Sequence, residues 1–180
     1  EALRAKLAEQ GVKYALASFA DIHGVSKTKI VPLNHLGQMM RGSELFTGAA
    51  LDGVPQEVSD EEVSAHPDAG SCTILPWNRE IAWFASDLWL QGAPFEACSR
   101  GIRKRQLAEC AKLGYRFNMG IETEFFVLKE GPDGKPVPVS ERDVLDKPCY
   151  DLRGFLDNYS FLDELVQAMN GMGWDVYSFD

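Results

Sequence analysis

An α+β fold is the expectation from this sequence, and three observations carry it. Strand-like runs crowd the stretch before residue 93: "VKYALASFA", "VSKTKIVP", "SCTILPW" and "EIAWFASDL". Helix-periodic stretches follow it, in "RGIRKRQLAECAKLG" and "FLDELVQAMNGMG". Between them lies "QGAPFEACS", where Gly92 and Pro94 interrupt both periods and mark a boundary. The spacing predicts two domains, residues 1–93 and 94–180.

Each element has a local reason. Residues 1–10 read as a short helix with Leu3 and Leu7 on one face, closed by Gly11 in the left-handed C′ position. The next two runs read as a hairpin turning at "DIHG", with Gly24 supplying a positive φ and Lys27 and Lys29 guarding an edge. Residues 34–41 predict a helical turn or two capped by Asn34. "SELFTGAALDGVPQEVSDEEVSAHPDAG" shows little periodicity and reads as a long functional or interface loop. With the two strands that follow, the expected sheet has about four strands, and the order strand, strand, helix, strand, strand resembles a β-grasp arrangement.

Past the boundary, the first helix should turn Ile102, Leu107 and Cys110 or Ala111 toward a core and stop at Gly114. "YRFNMGIETEFFVL" reads as one long strand, and "KEGPDGKPVPV" as a turn-rich excursion without regular structure. The second helix carries Leu162, Leu165, Val166, Met169 and Met172 on one stripe behind a Ser160 cap. A last strand, "WDVYSF", is expected over residues 174–179, leaving the sequence to stop mid-element at Asp180. The absence of an initiator Met gives the expectation of a trimmed N-terminus.

Composition excludes several function classes. A chain of 180 residues with 45% hydrophobic and 25% charged residues can bury a core without disulfide staples. No uncharged apolar run is long enough to span a bilayer, and the first residues resemble neither a signal nor a transit peptide. A net charge of −9 argues against nucleic acid, since phosphate-backbone binding needs a cationic surface. It also means that a nucleotide triphosphate would need metal ions beside these carboxylates. Cys72, Cys98, Cys110 and Cys149 form no CxxC pair and have no His at ligand spacing, so reduced structural thiols and a cytoplasmic location are expected.

The chemistry-bearing feature is "MGIETEFFVL". On a strand, residues i and i+2 share a face, so Glu122 and Glu124 would point the same way with Cα atoms roughly 6.6–6.8 Å apart. Phe126 and Leu128 continue that face, which predicts carboxylates at a cavity mouth. Like charges there need cations, and oxygen-only donors suit Mg2+ or Mn2+. Spacing alone leaves a second reading open, a solvated strand end where both side chains face water or a Lys. His23, His35 and His66 read as ordinary surface or loop side chains. Arg100, Arg103, Lys104 and Arg105 read as a solvated helix face, with an intersubunit contact to an acidic loop as the alternative. Tyr150, in "KPCYD", reads as a packed lid or as a hydroxyl serving a polar site.

Gly120, Glu122, Glu124, Phe125 and Phe126 match the Gly-x-Glu-x-Glu-Phe-Phe pattern of the glutamine synthetase superfamily, which this chain resembles. The hairpin, "LFTGAALDG", "HPDAG…ILPW" and "KPCYD" before a helix fall in the family's order, so the resemblance covers essentially the whole chain. Within the superfamily it is strongest to the type III-like and γ-glutamylmethylamide synthetase branch, judged by "KPCYD" and "DIHGVSKTK". The resemblance implies an N-terminal β-grasp domain followed by the first, truncated part of the catalytic domain. It implies an ATP-dependent ligase: glutamate's γ-carboxylate attacks the γ-phosphate of ATP, and an amine displaces phosphate from the acyl phosphate, with two metals assisting. By resemblance Glu124 holds the metal nearer glutamate and Glu122 the metal nearer the phosphates. Tyr150 matches a tyrosine of the amine pocket, and Gly120 and Tyr177 fall where the nucleotide is lined. Thr47 and Asp68 would act in a neighbouring subunit's site, which implies a ring-shaped homo-oligomer, a dodecamer by family. Ammonia-using relatives carry Asp-Gly-Ser-Ser where this chain has Thr47, Gly48, Ala49 and Ala50. Loss of an anion and a hydroxyl favours methylamine over NH4+. An ordinary ammonia-using synthetase, a ligase for a larger amine, and a non-catalytic assembly module stay open as alternatives, the 180 residues alone being expected to lack a complete site.

Overall fold

A computed structural model describes residues 1–178. The fold is α+β, and the chain divides into two compact units, Glu1–Asn118 and Met119–Asp180.

In the first unit, helix α1 (Ala2–Glu9) buries Leu7 and ends as the sequence predicts, with Gly11 at φ 85° and Val12 N–H returning to the Leu7 carbonyl at 3.0 Å. Strands β1 (Tyr14–Ala20) and β2 (Ser26–Pro32) form the expected antiparallel hairpin, in register from Tyr14↔Pro32 to Ala20↔Ser26. Its turn is built by Asp21, whose Oδ1 accepts the backbone N–H groups of His23 and Val25, both at 2.9 Å, while Gly24 takes φ 78°. A 3-10 turn (Leu33–His35) then leads into α2 (Leu36–Met39). Asn34 caps nothing here; it lies inside the 3-10 turn, and the pair is fixed instead by burial of Leu33, Leu36 and Met39.

The segment read as a loop contains two strands, β3 (Glu44–Phe46) and β4 (Val63–Pro67). Val63, Ala65 and Pro67 of β4 face the core, while Ser64 and His66 alternate outward. Small inward residues between polar ones gave the run too little apolar contrast to be read as a strand. With β5 (Thr73–Leu75), β6 (Asn78–Leu90) and β7 (Ala93–Pro94) the sheet has seven strands where about four were expected. Its order is β2-β1-β6-β4-β3, with β5 and β7 also on β6. The long β6 joins its two halves: Ile81–Ala85 pairs parallel with β1, and Ser86–Trp89 pairs antiparallel with β4. Its Ala82, Phe84, Ser86 and Leu88 alternate into the core. The sheet brings Phe46 of β3 edge-on to Phe19 of β1, centroids 4.9 Å apart, with Lys29 of β2 over the Phe46 ring.

Helix α3 (Ser99–Lys112) starts at Cys98, whose Sγ accepts Gly101 N–H, and ends before Gly114 at φ 80°. Contrary to the expected apolar face, none of its residues is buried and Ile102 is exposed. Charge fixes this helix to the sheet, as described below.

The second unit departs most from expectation. Residues 115–127 form no strand; pairing begins only at β8 (Leu128–Glu130), which meets β9 (Pro136–Pro138). The supposedly irregular excursion is thus a hairpin, closed by Gly134 at φ 76° and extended by Val139 N–H to the Val127 carbonyl. Residues 174–178 are likewise irregular, and Phe179 of the expected last strand lies outside the described residues. The physical reason is shared: alternation makes a strand only where a neighbour supplies the ladder, and among the described residues neither run has one. Helix α4 (Leu152–Asp157) follows "KPCYD" directly, as the family order has a helix do, although no period in the residues marked one here. It is followed by α5 (Tyr159–Gly171), whose apolar stripe is half-buried and whose N-cap is Asn158, with the expected cap Ser160 inside the helix.

Candidate functional site

The predicted site residues fall in both units. In the first, Thr47 opens a 3-10 turn (Gly48–Ala50) and its hydroxyl donates to Glu62 Oε1 at 2.9 Å. The turn is anchored by buried Leu51, and Gln56 lies so close over Gly48 that a Cβ there would meet its Oε1. The stretch expected to be a loose loop is therefore folded onto the core at this point, with Ala49 and Ala50 left at the surface.

Asp68 has partners that the sequence did not suggest. One carboxylate oxygen accepts Gly70 N–H at 2.9 Å and the other accepts Arg100 Nη2 at 2.7 Å. Arg100 Nη1 reaches Asp87 Oδ1 at 2.8 Å, and Lys104 donates to Asp87 Oδ2. The Arg100 guanidinium, then the Gly70 N–H, hold the Asp68 carboxyl below its usual range. For Asp87 burial pushes upward, but Lys104 and Arg100 outweigh it and the result is also lowered. Arg100 and Lys104, read as a solvated face, are thus the ties that hold α3 to β6 and to the turn after β4. No sequence period could reveal this, because the partners come from three separate elements.

In the second unit, Gly120, Glu122 and Glu124 lie on the irregular approach to β8, all exposed. A concavity of about 740 Å³ lies at the β8–β9 hairpin and the residues after it, including Lys129, Val137 and Val144, and none of the predicted residues lines it. Neither glutamate has a hydrogen-bond or ion-pair partner among the described residues, and no group of three or more His, Cys, Asp or Glu gathers there. The pair therefore fits a hard cation in kind, as unengaged oxygen donors, and not in number.

Tyr150 is exposed and sits at φ 65°, a conformation uncommon for a bulky residue. The turn around it is closed by the next residue: Asp151 N–H returns to the Pro148 carbonyl, and the Asp151 carboxylate caps α4 by accepting Gly154 N–H at 2.9 Å. Sequence reasoning missed that cap, although the spacing Asp-x-x-Gly ahead of Phe155 and Leu156 could have signalled a helix start. Tyr177 is fully exposed in the irregular stretch after α5.

Known proteins resemble this chain over nearly its whole length. The family "Glutamine synthetase, catalytic domain" matches residues 96–180. A glutamine synthetase of Rhizobium meliloti is 34% identical over 96% of this chain and 39% of its own length. These matches identify the chain as a member of the glutamine synthetase superfamily. A glutamate–methylamine ligase of Methyloversatilis universalis is 37% identical over 97% of this chain and 39% of its own length. The solved structures described as "GmaS/ADP complex-Conformation 1" and "Apo GmaS without ligand" each superpose on 98% of this chain with a TM-score of 0.82 and 27% identity, covering 40% and 41% of those chains. The chain spans about two fifths of the length of the relatives it matches. Among the described residues no helix is long and apolar enough to cross a membrane.

Proposed function

We propose that the whole protein is an ATP-dependent ligase that joins an amine to the γ-carboxylate of glutamate through a γ-glutamyl phosphate, with methylamine preferred and ammonia competing. The observation that carries this reading is the chain-long likeness to a glutamate–methylamine ligase, in sequence at 37% identity and in shape to GmaS at a TM-score of 0.82. The amine preference is supported by the 47–50 turn. Its Thr47 hydroxyl is engaged by Glu62, and the two positions after Gly48 offer only methyl side chains, which suit an added methyl group better than Asp and Ser would.

In this reading residues 1–93 are a β-grasp domain and residues 94–180 open the catalytic domain. Glu122 and Glu124 hold Mg2+ or Mn2+ together with donors from outside these 180 residues, which alone do not complete the site. When bound, the ions neutralise charge on phosphate and carboxylate oxygens during transfer. Tyr150 lines the amine pocket, and Gly120 and Tyr177 line the nucleotide. Thr47 and Asp68 serve a neighbouring subunit of a cytoplasmic ring-shaped homo-oligomer, a dodecamer, Asp68 with its carboxylate already fixed by Arg100.

Steady-state kinetics on the complete, assembled protein tests the assignment. The expected result is a higher kcat/KM for methylamine than for ammonia, and the reverse order overturns it. A panel of polyamines and aromatic amines read by phosphate release separates a ligase for a larger amine.

A further inference from the structure

Among the described residues of the second unit, the only buried one is a serine. Ser140 is 7% exposed, and its hydroxyl donates to Asp157 Oδ2 at 2.7 Å. The other oxygen of Asp157 accepts Arg142 Nη2 at 2.8 Å, and Arg142 N–H donates back to Ser140 Oγ at 3.2 Å. Each carboxylate oxygen thus has one donor, one of them charged, and the donor pair is itself cross-linked, which makes a short and directional clamp.

Its position gives the clamp a consequence beyond local stability. Ser140 and Arg142 follow β9 directly, and β9 is paired to β8, whose approach carries Glu122 and Glu124. Asp157 is the last residue of α4, and the first turn of α4 is capped by Asp151, next to Tyr150. A helix of this length is a rigid strut of about 9 Å. The clamp therefore ties the segment after β9, across the hairpin from the glutamate arm, to the end of α4 on the tyrosine arm, alongside the edge-on contact of Phe125 with Phe161 of α5. Tyr150 also sits at φ 65°, a geometry that persists only when its surroundings over-determine it.

We propose that Ser140, Arg142 and Asp157 are positioning residues that set Tyr150 relative to the glutamate pair and thereby fix amine affinity. The proposal rests on the reading of Tyr150 as an amine-pocket residue and deepens it.

The test uses Ser140→Ala and Asp157→Ala in the complete protein, with Tyr150→Phe as reference and Ser140→Thr and Arg142→Lys as conservative variants. The expected result is a rise of about 10-fold or more in KM for the amine with KM for ATP unchanged, since displacing a positioned group by a fraction of an ångström to an ångström costs up to about two orders of magnitude. Ser140→Thr and Arg142→Lys should keep KM near the parent value. Hydrogen exchange supplies a readout independent of turnover: the Asp151 and Gly154 amides should exchange faster in Asp157→Ala. A fall in kcat with every KM unchanged signals fewer folded molecules and overturns the proposal, as does unchanged exchange at both amides. If Tyr150→Phe raises amine KM while both alanine variants leave it alone, only the clamp proposal fails. If Tyr150→Phe itself leaves amine KM unchanged, the reading of Tyr150 fails and the proposal with it.

Discussion

Replacing Arg100 by Met keeps most of the apolar stem and deletes the guanidinium that ties α3 to Asp68 and Asp87. The size of the effect follows from the site. Arg100 is 20% exposed, Asp87 26% and Asp68 39%, so the network lies between the exposed limit, where a pair contributes about 0–1 kcal/mol, and the buried limit, where breaking one costs about 3–5 kcal/mol. Asp87 keeps Lys104 and Asp68 keeps the Gly70 N–H, which limits the penalty of the orphaned carboxylates. Solvent screening at Asp68 reduces it further. The expected loss is about 2 kcal/mol. Urea unfolding followed by circular dichroism should show a lower midpoint at unchanged slope, and a thermal scan a Tm lower by roughly 4–8 °C. Because α3 has no buried residue of its own, the helix should also lose amide protection before the sheet does. A loss under about 0.5 kcal/mol would refute the argument that charge rather than apolar packing fixes this helix.

Two further outcomes follow from the same neighbourhood. Both Asp68 and Asp87 titrate below their usual range in the folded chain, so their contribution is complete above the unfolded carboxylate value, near pH 4, and is lost as pH falls from there through the lowered folded values. Acid titration of stability should show this loss in the parent and a shallower one in Arg100→Met; equal slopes would count against the network. Gly42 has φ 85°, and a Cβ there would fall onto the His66 ring, which stacks on Trp89 with centroids 4.7 Å apart. Gly42→Ala should therefore destabilise by about 1–3 kcal/mol through both backbone strain and the displaced imidazole, and a neutral result in urea unfolding would contradict the packing described.

What was legible in the sequence is what one segment decides for itself. The β1–β2 hairpin needs only its own alternation, an Asx turn at Asp21 and Gly24, and it appears in the register those residues dictate. Helix stops at Gly11 and Gly114 were equally local. β4 escaped because its inward residues are small and its outward ones polar. The run around Glu122 and Glu124 was overread for the opposite reason: its apolar alternation is strong, but a strand is a property of two segments, and no second one pairs with it among the described residues. The same division holds at the candidate site. The glutamate pair and Tyr150 stood out through a motif, whereas Asp68–Arg100–Asp87 and Ser140–Arg142–Asp157 are meetings of residues distant in sequence. No pattern within a window announces such meetings; only Asp151, a helix cap with its partner three residues on, left a trace that could have been read.

The position of β6 carries a consequence for how the chain is made. β1 finds its parallel partner only when Ile81–Ala85 has left the ribosome, and β4 finds its own only a few residues later. Until then the hairpin is a two-stranded ribbon with one side of β1 unzipped, and such ribbons are marginal in water. Closing so distant a pair is intrinsically slow. Nascent chains stalled ahead of residue 81 should therefore be the adhesive species during synthesis, and those released after residue 90 should not.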